Sequence, residues 1–166
     1  MVYIAVVGPG HEATPQNRRD AYEVGRLLAE RGAVVVTGGL GGVMEAAAQG
    51  CADAQGTSVG LLPGHRREAG NPHLSVALPT GLGELRNGLL VCSADGVVSI
   101  GGSWGTLSEL ALAKGSELSV VSVDGWSVLD ANGQRLPLDT AATPGEAVDW
   151  ILAAVAARTG ARSAGR

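Results

Sequence analysis

The sequence contains no phenylalanine, and aromatic residues make up only 3% of its 166 positions. A stacking surface for successive bases is therefore not expected. Positive charge is also scarce: the net charge is −4, which speaks against nucleic acid as a partner. There are two cysteines, Cys51 and Cys92, far apart and both in helix-like stretches, so buried free thiols are expected. His11, His65 and His73 stand in loop-like stretches without ligand spacing, and no metal site is expected. No apolar run approaches the ~20 residues of a membrane span. The first residues enter a strand-like run, VYIAVVG, with no charged leader. A cytoplasmic protein without membrane contact follows as the expectation. G-x-x-x-x-G-K-[ST] is missing, which excludes ATP hydrolysis of the P-loop kind.

What the chain has in quantity is glycine, 26 residues, and hydrophobic residues, 45%, enough for one substantial core. Short β-branched runs at 2–7, 33–37, 58–62, 96–100 and 118–123 suit strands buried on both faces. Helix-like stretches at 16–31, 42–54, 82–94, 106–115 and 144–157 separate or follow them. The alternation predicts an α/β fold: a doubly wound, mainly parallel sheet with helices on both faces, Rossmann-like. One domain should cover residues 1–157. The end, ARTGARSAGR, reads as a flexible basic tail at 158–166. DANGQ, within 126–138, is a hairpin-like turn signal that looks peripheral.

Three strands run into glycine turns that open helices: VVGPGHEA, VVTGGLGGVMEAA and VVSIGGSWGTLSE. In a parallel sheet all three lie at the carboxyl edge, where ligands of such folds bind. Helix N-termini offer free N–H groups and the positive end of a dipole, and glycine lets an anion approach the backbone. A phosphorylated small molecule is the expected ligand. Phosphate would meet Gly101, Gly102, Ser103, Gly105 and Thr106; the rest of the ligand would meet Gly8, Pro9, Gly10, Gly38, Gly39, Gly42, Met44 and Asn87. A nicotinamide dinucleotide is not expected. Pro9 removes a donor from the G-x-G-x-x-A turn, and the second strand ends VVVTGG without an acid for a ribose hydroxyl.

Two charged residues stand beside these turns. Thr106 and Glu109 fit a capping box, with Thr106 as the N-cap and Glu109 three residues on. Glu109 also stands one turn from the phosphate cradle, within reach of an attached sugar. Arg86 edges an apolar stripe of Leu82, Leu85, Leu89 and Cys92, and such an arginine has an anionic partner: a ligand, or Glu109 or Glu84 in a structural ion pair. Leu82, Leu85, Leu89, Leu90 and Val91 span too wide an arc for one sheet contact, so a homodimer or homotetramer is expected.

Taken together and in order, TGGLGGVMEAAAQG, TGLGELRNGLLVCSAD and IGGSWGTLSEL resemble the Lonely Guy (LOG) proteins, the lysine-decarboxylase-like Rossmann proteins. The resemblance runs roughly from residue 2 to residue 123. It implies a Rossmann-like oligomer and, in its active members, a phosphoribohydrolase. Such an enzyme cleaves the N-glycosidic bond of a nucleoside 5′-monophosphate to base and ribose 5-phosphate. By the same resemblance Arg86 and Glu109 take the places of the catalytic pair, and no cofactor is required. Ile100 and Asn87 depart from the pattern, where proline and lysine are usual. In these departures the chain is similar to the branch holding molybdenum-cofactor carrier proteins, which implies instead a non-catalytic binder of that cofactor or of another phosphorylated small molecule.

Overall fold

The computed structural model describes residues 1–164, with side chains through Ala161. Seven strands form one parallel sheet in the order β4-β3-β2-β1-β5-β6-β7. They are β1 (Tyr3–Val7), β2 (Val34–Thr37), β3 (Ser58–Leu62), β4 (Val76–Pro79), β5 (Gly96–Ile100), β6 (Ser119–Val123) and β7 (Asp139–Ala141). The helices are α1 (Pro15–Glu30), α2 (Val43–Asp53), α3 (Arg86–Cys92), α4 (Trp104–Gly115) and α5 (Pro144–Ala164). This is the expected Rossmann-like architecture. The chain leaves β1 in one direction for β2 to β4 and returns to its other side for β5 to β7. The switch point of the sheet therefore lies between the carboxyl ends of β1 and β5.

Period-two alternation of buried β residues splits the core into two layers. Ile4, Val6, Val35, Val98, Ile100, Val121 and Val123 face α1, α2 and α5 through Val24, Leu28, Ala47 and Ile151. Ala5, Val7, Val36, Val97 and Val120 face α3 and α4 through Leu90, Val91, Leu110 and Ala113. Among the described strand residues the buried polar side chains are Thr37, Ser58, Ser99 and Ser122.

Several expected boundaries move. β4 and β7 carry no strand signal in the sequence, yet each completes an edge of the sheet. The helix expected over 82–94 is a single 3-10 turn, Gly83–Leu85, followed by the short α3, because Gly81 and Gly83 take positive φ of 68° and 56°. Cys51 is buried as expected, but Cys92, the last residue of α3, is exposed. α5 runs on past residue 157 to Ala164, so the expected tail begins inside a helix. Ala156, Ala157 and Arg158 favour helix, and within it the Thr159 hydroxyl donates back to the Val155 carbonyl at 3.0 Å. Residues 165 and 166 lie outside the described part. No described helix is long and apolar enough to cross a membrane.

Candidate functional site

The three glycine turns meet at the switch point, but their glycines serve different neighbours. Gly42, with φ +70°, packs on the first turn: a Cβ there would overlap the Gly10 carbonyl oxygen and stand 2.5 Å from that of Pro9. The Val43 N–H donates to the Pro9 carbonyl at 3.0 Å and locks the two turns together. A Cβ on Gly8 would stand 2.5 Å from the Ile100 carbonyl oxygen, and one on Gly39 would strike Leu62. At Gly38 the neighbour is chemical. A Cβ there would lie 2.5 Å and 2.6 Å from Nη2 and Nη1 of Arg86, and 2.7 Å from Sδ of Met44. The second turn is thus the bed on which the Arg86 guanidinium lies.

Arg86 opens α3 and is only 6% exposed. Its Nη1 stands 3.5 Å from Oε1 of Glu109 on α4, which is itself 7% exposed. The same Nη1 donates to Oδ1 of Asn87 at 3.0 Å. Asn87 Nδ2 donates to Oγ of Ser108 at 2.9 Å, and Ser108 donates to the Gly105 carbonyl at 2.7 Å. One chain of hydrogen bonds therefore ties the first turn of α3 to the first turn of α4. Nε of Arg86 is buried without a partner. A buried guanidinium donor left unpaired is costly, so this atom is a natural point of contact for an anion. Burial pushes the Glu109 carboxyl up to about 7; the Arg86 charge pulls against this, and Glu84 adds to it.

The expected capping box is not at Thr106. α4 begins at Trp104, and Ser103, with an extended φ of −143°, is its N-cap, accepting from the Thr106 N–H at 3.2 Å. Thr106 is the third residue of the helix, buried to 1%, with its hydroxyl 3.0 Å from that of Ser103. Glu109 is therefore a full turn past the cap and has no capping role. Its orientation is fixed by Arg86 instead. A true capping box stands on α1, between Thr14 and Asn17. At the start of α4 the backbone N–H groups of Trp104 and Gly105 have no partner among the described residues. Gly101, φ +62°, packs on the Asn17 amide, and Gly102 lies beneath Trp126, whose indole occupies the space of a Cβ.

A cavity of about 770 Å³ opens over this arrangement. Of the expected residues, Gly10, Asn87, Ser103 and Gly105 line it. Arg86 and Glu109 stand one side chain back, joined to it through Asn87. Gly38 lies against Arg86 and beside Met44, whereas Gly8, Pro9, Gly39 and Gly42 pack within and between the turns and do not line the cavity; Thr106 and Gly101 are internal to the turn. Sequence reasoning missed Trp104, Ser108 and Trp126. Ser108 lies within the quoted motif and is readable as a partner for Asn87; Trp126 is brought over Gly102 only by the turn after β6. Among the described residues no cluster of His, Cys, Asp or Glu is placed to hold a metal ion.

Comparison with known proteins bears out the resemblance. Residues 1–148 match the profile of the SLOG cluster4 family. An uncharacterized protein of Archaeoglobus fulgidus is 38% identical over 152 residues, which span 92% of this chain and 95% of that one. The molybdenum cofactor binding protein of Rippkaea orientalis superposes with a TM-score of 0.82 at 35% identity, covering 92% of this chain and 96% of that chain. The molybdenum cofactor carrier protein of Chlamydomonas reinhardtii gives a TM-score of 0.82 at 29% identity, covering 93% and 98%. The chain belongs to the SLOG cluster4 family.

Proposed function

We propose that this member of the SLOG cluster4 family binds and carries a phosphorylated heterocyclic small molecule of the molybdenum-cofactor kind. The phosphate would lie at the start of α4, against the free N–H groups of Trp104 and Gly105 and the Ser103 hydroxyl, with the flanking turn at Gly101, Gly102 and Thr106 holding their shape. Arg86 would supply the positive charge. The observation that carries this reading is the placement of Arg86. Its guanidinium is fixed by Gly38, Asn87 and Glu109, while Nε is left buried and unpaired. Similarity over the whole chain to two molybdenum-cofactor proteins supports the class of ligand.

A second reading is hydrolysis of a nucleoside 5′-monophosphate, and one observation favours it. A carboxyl raised to about 7 stands where proton transfer at neutral pH is efficient. In that reaction water oxygen bonds to C1′ of the ribose as the N-glycosidic bond breaks. Glu109 takes the proton from the water, and the departing base takes up a proton. Binding without cleavage ranks first because the similarity over the whole chain is to molybdenum-cofactor proteins, and Asn87 stands where the phosphoribohydrolase pattern has lysine.

Incubation with a panel of nucleoside monophosphates, with ribose 5-phosphate measured, separates the two readings. Bound phosphate ligand without ribose 5-phosphate is the expected result. Steady release of ribose 5-phosphate overturns the carrier reading. A crystal soaked in phosphate with the anion elsewhere and the 102–106 turn empty overturns both.

A further inference from the structure

Beside the start of α4 the cavity has two further kinds of wall, apolar and acidic, and neither suits phosphate. Trp104 is 79% exposed and Leu85 is 81% exposed, and both line it together with Leu112. An indole left this open at the first position of a helix does nothing for the core. Its ring is nevertheless held, edge-on to Trp126 with centroids 5.1 Å apart and planes at 71°. Trp126 in turn is seated on Gly102. The free face of Trp104 is thus a fixed aromatic surface. The ionisable residues on the lining are His11, Glu12 and Glu84, with no lysine or arginine. Glu12 has His11 at 3.9 Å, whereas the Glu84 carboxylate has no partner among the described residues.

We propose that Trp104 and Glu84 form a ring-reading subsite: the ligand's planar ring stacks on the Trp104 indole, and adjacent N–H donors on the ring edge bond the Glu84 carboxylate. Two adjacent donors match the two oxygens of a carboxylate, as an arginine fork does. The class selected is a 2-amino-4-oxopyrimidine ring, of which guanine is the accessible example. Adenine presents an acceptor between its amino group and the next ring position, and it fits less well. Asn87, Ser103 and Ser108 supply the remaining polar contacts. The proposal rests on the phosphate reading above, because the start of α4 fixes where the other end of the ligand lies. Glu84 also bears on Glu109, whose proton affinity it raises, so the ring edge and the Arg86–Glu109 pair are electrically coupled.

The test is calorimetric titration of the whole chain with GMP, AMP and ribose 5-phosphate, in the parent and in Trp104→Ala, Trp104→Phe and Glu84→Gln. Trp104→Ala, which removes the indole and keeps the backbone N–H at the start of α4, should weaken GMP by roughly tenfold, the scale of one base–aromatic stack, and leave ribose 5-phosphate within about twofold. Trp104→Phe should keep most of the GMP affinity, and Glu84→Gln should remove the preference for GMP over AMP. A parent that binds ribose 5-phosphate as tightly as GMP overturns the subsite alone. A Trp104→Ala variant that loses both ligands equally, with its assembly state changed, also overturns it: the indole is then an interface residue. A parent that binds none of the three overturns the phosphate reading and this proposal with it.

Discussion

Replacing Glu109 with glutamine tests the least comfortable residue in the molecule. The carboxyl has an ordinary value of 4.5 and is raised to about 7 in the fold, chiefly by burial. A raised folded value means that the protonated form stabilises the fold. That contribution is fully present below about pH 4.5 and is lost as pH rises through about 7. One pKa unit corresponds to ~1.4 kcal/mol, so the loss between about pH 5.5 and pH 8 is on the order of 2 kcal/mol. Urea unfolding of the parent and of Glu109→Gln at those two pH values isolates the effect. The glutamine variant keeps the shape but cannot ionise, so its stability should fall less over that interval, by about that difference. Identical pH dependence in the two proteins would refute the reasoning, because Glu109 would then be ionised throughout, held by Arg86. The same variant speaks to chemistry. If the parent releases ribose 5-phosphate, Glu109→Gln should slow release by at least ~100-fold; a similar rate in both would remove Glu109 from the reaction.

Gly38→Ala places a methyl group 2.5 Å from Nη2 of Arg86. It should destabilise the fold by ~1–3 kcal/mol, as overpacking does, and weaken phosphate binding as Arg86 shifts, read by urea unfolding and calorimetry. Leu82 and Leu89, outside the cavity lining, are exposed to 46% and 43%. We expect a homodimer or homotetramer that covers them, and Leu82→Glu with Leu89→Glu should shift sedimentation to the monomer; a parent that is monomeric at micromolar concentration disproves it.

The inner part of the fold was legible because its strands are buried on both faces. VVVT, GVVSI and SVVSV read as strands whichever neighbours they have. The two edge strands were not. In β4 the side chains of Val76 and Leu78 are half exposed and the strand ends in Pro79, so composition resembles a loop; β7 is the three residues Asp-Thr-Ala. Only pairing with β3 and β6 makes strands of them, and pairing is a tertiary fact. The helix start at α4 failed for a local reason. Ser103 and Thr106 are both good caps three residues apart, and the choice between them rests on one φ value. The motifs did bring Arg86, Asn87, Ser103, Gly105 and Glu109 into one neighbourhood, since chain order plus sheet order fixes which strand ends meet. Trp126 had no such signal.

Glycine is where sequence and structure diverge most usefully. Three glycine-rich turns at one sheet edge suggest that every glycine makes room for a ligand. Most of them make room for protein. Gly8, Gly38, Gly42 and Gly102 are each fully accounted for by a backbone carbonyl, a guanidinium or an indole already in place. The informative glycines are those that line the cavity and whose missing side chain would meet almost nothing. Gly105 would find only Ser103 Oγ, at 3.7 Å, Gly10 only Met44 Cε, at 3.7 Å, and Gly88 no atom at all. All three line the cavity. Gly88 sits inside the short α3, where it costs ~1 kcal/mol against alanine with no packing gained in return. A helix that accepts this loss where a side chain would narrow the cavity is shaped for something that enters it, and the cavity at the start of α4 is the place where the fold leaves such room.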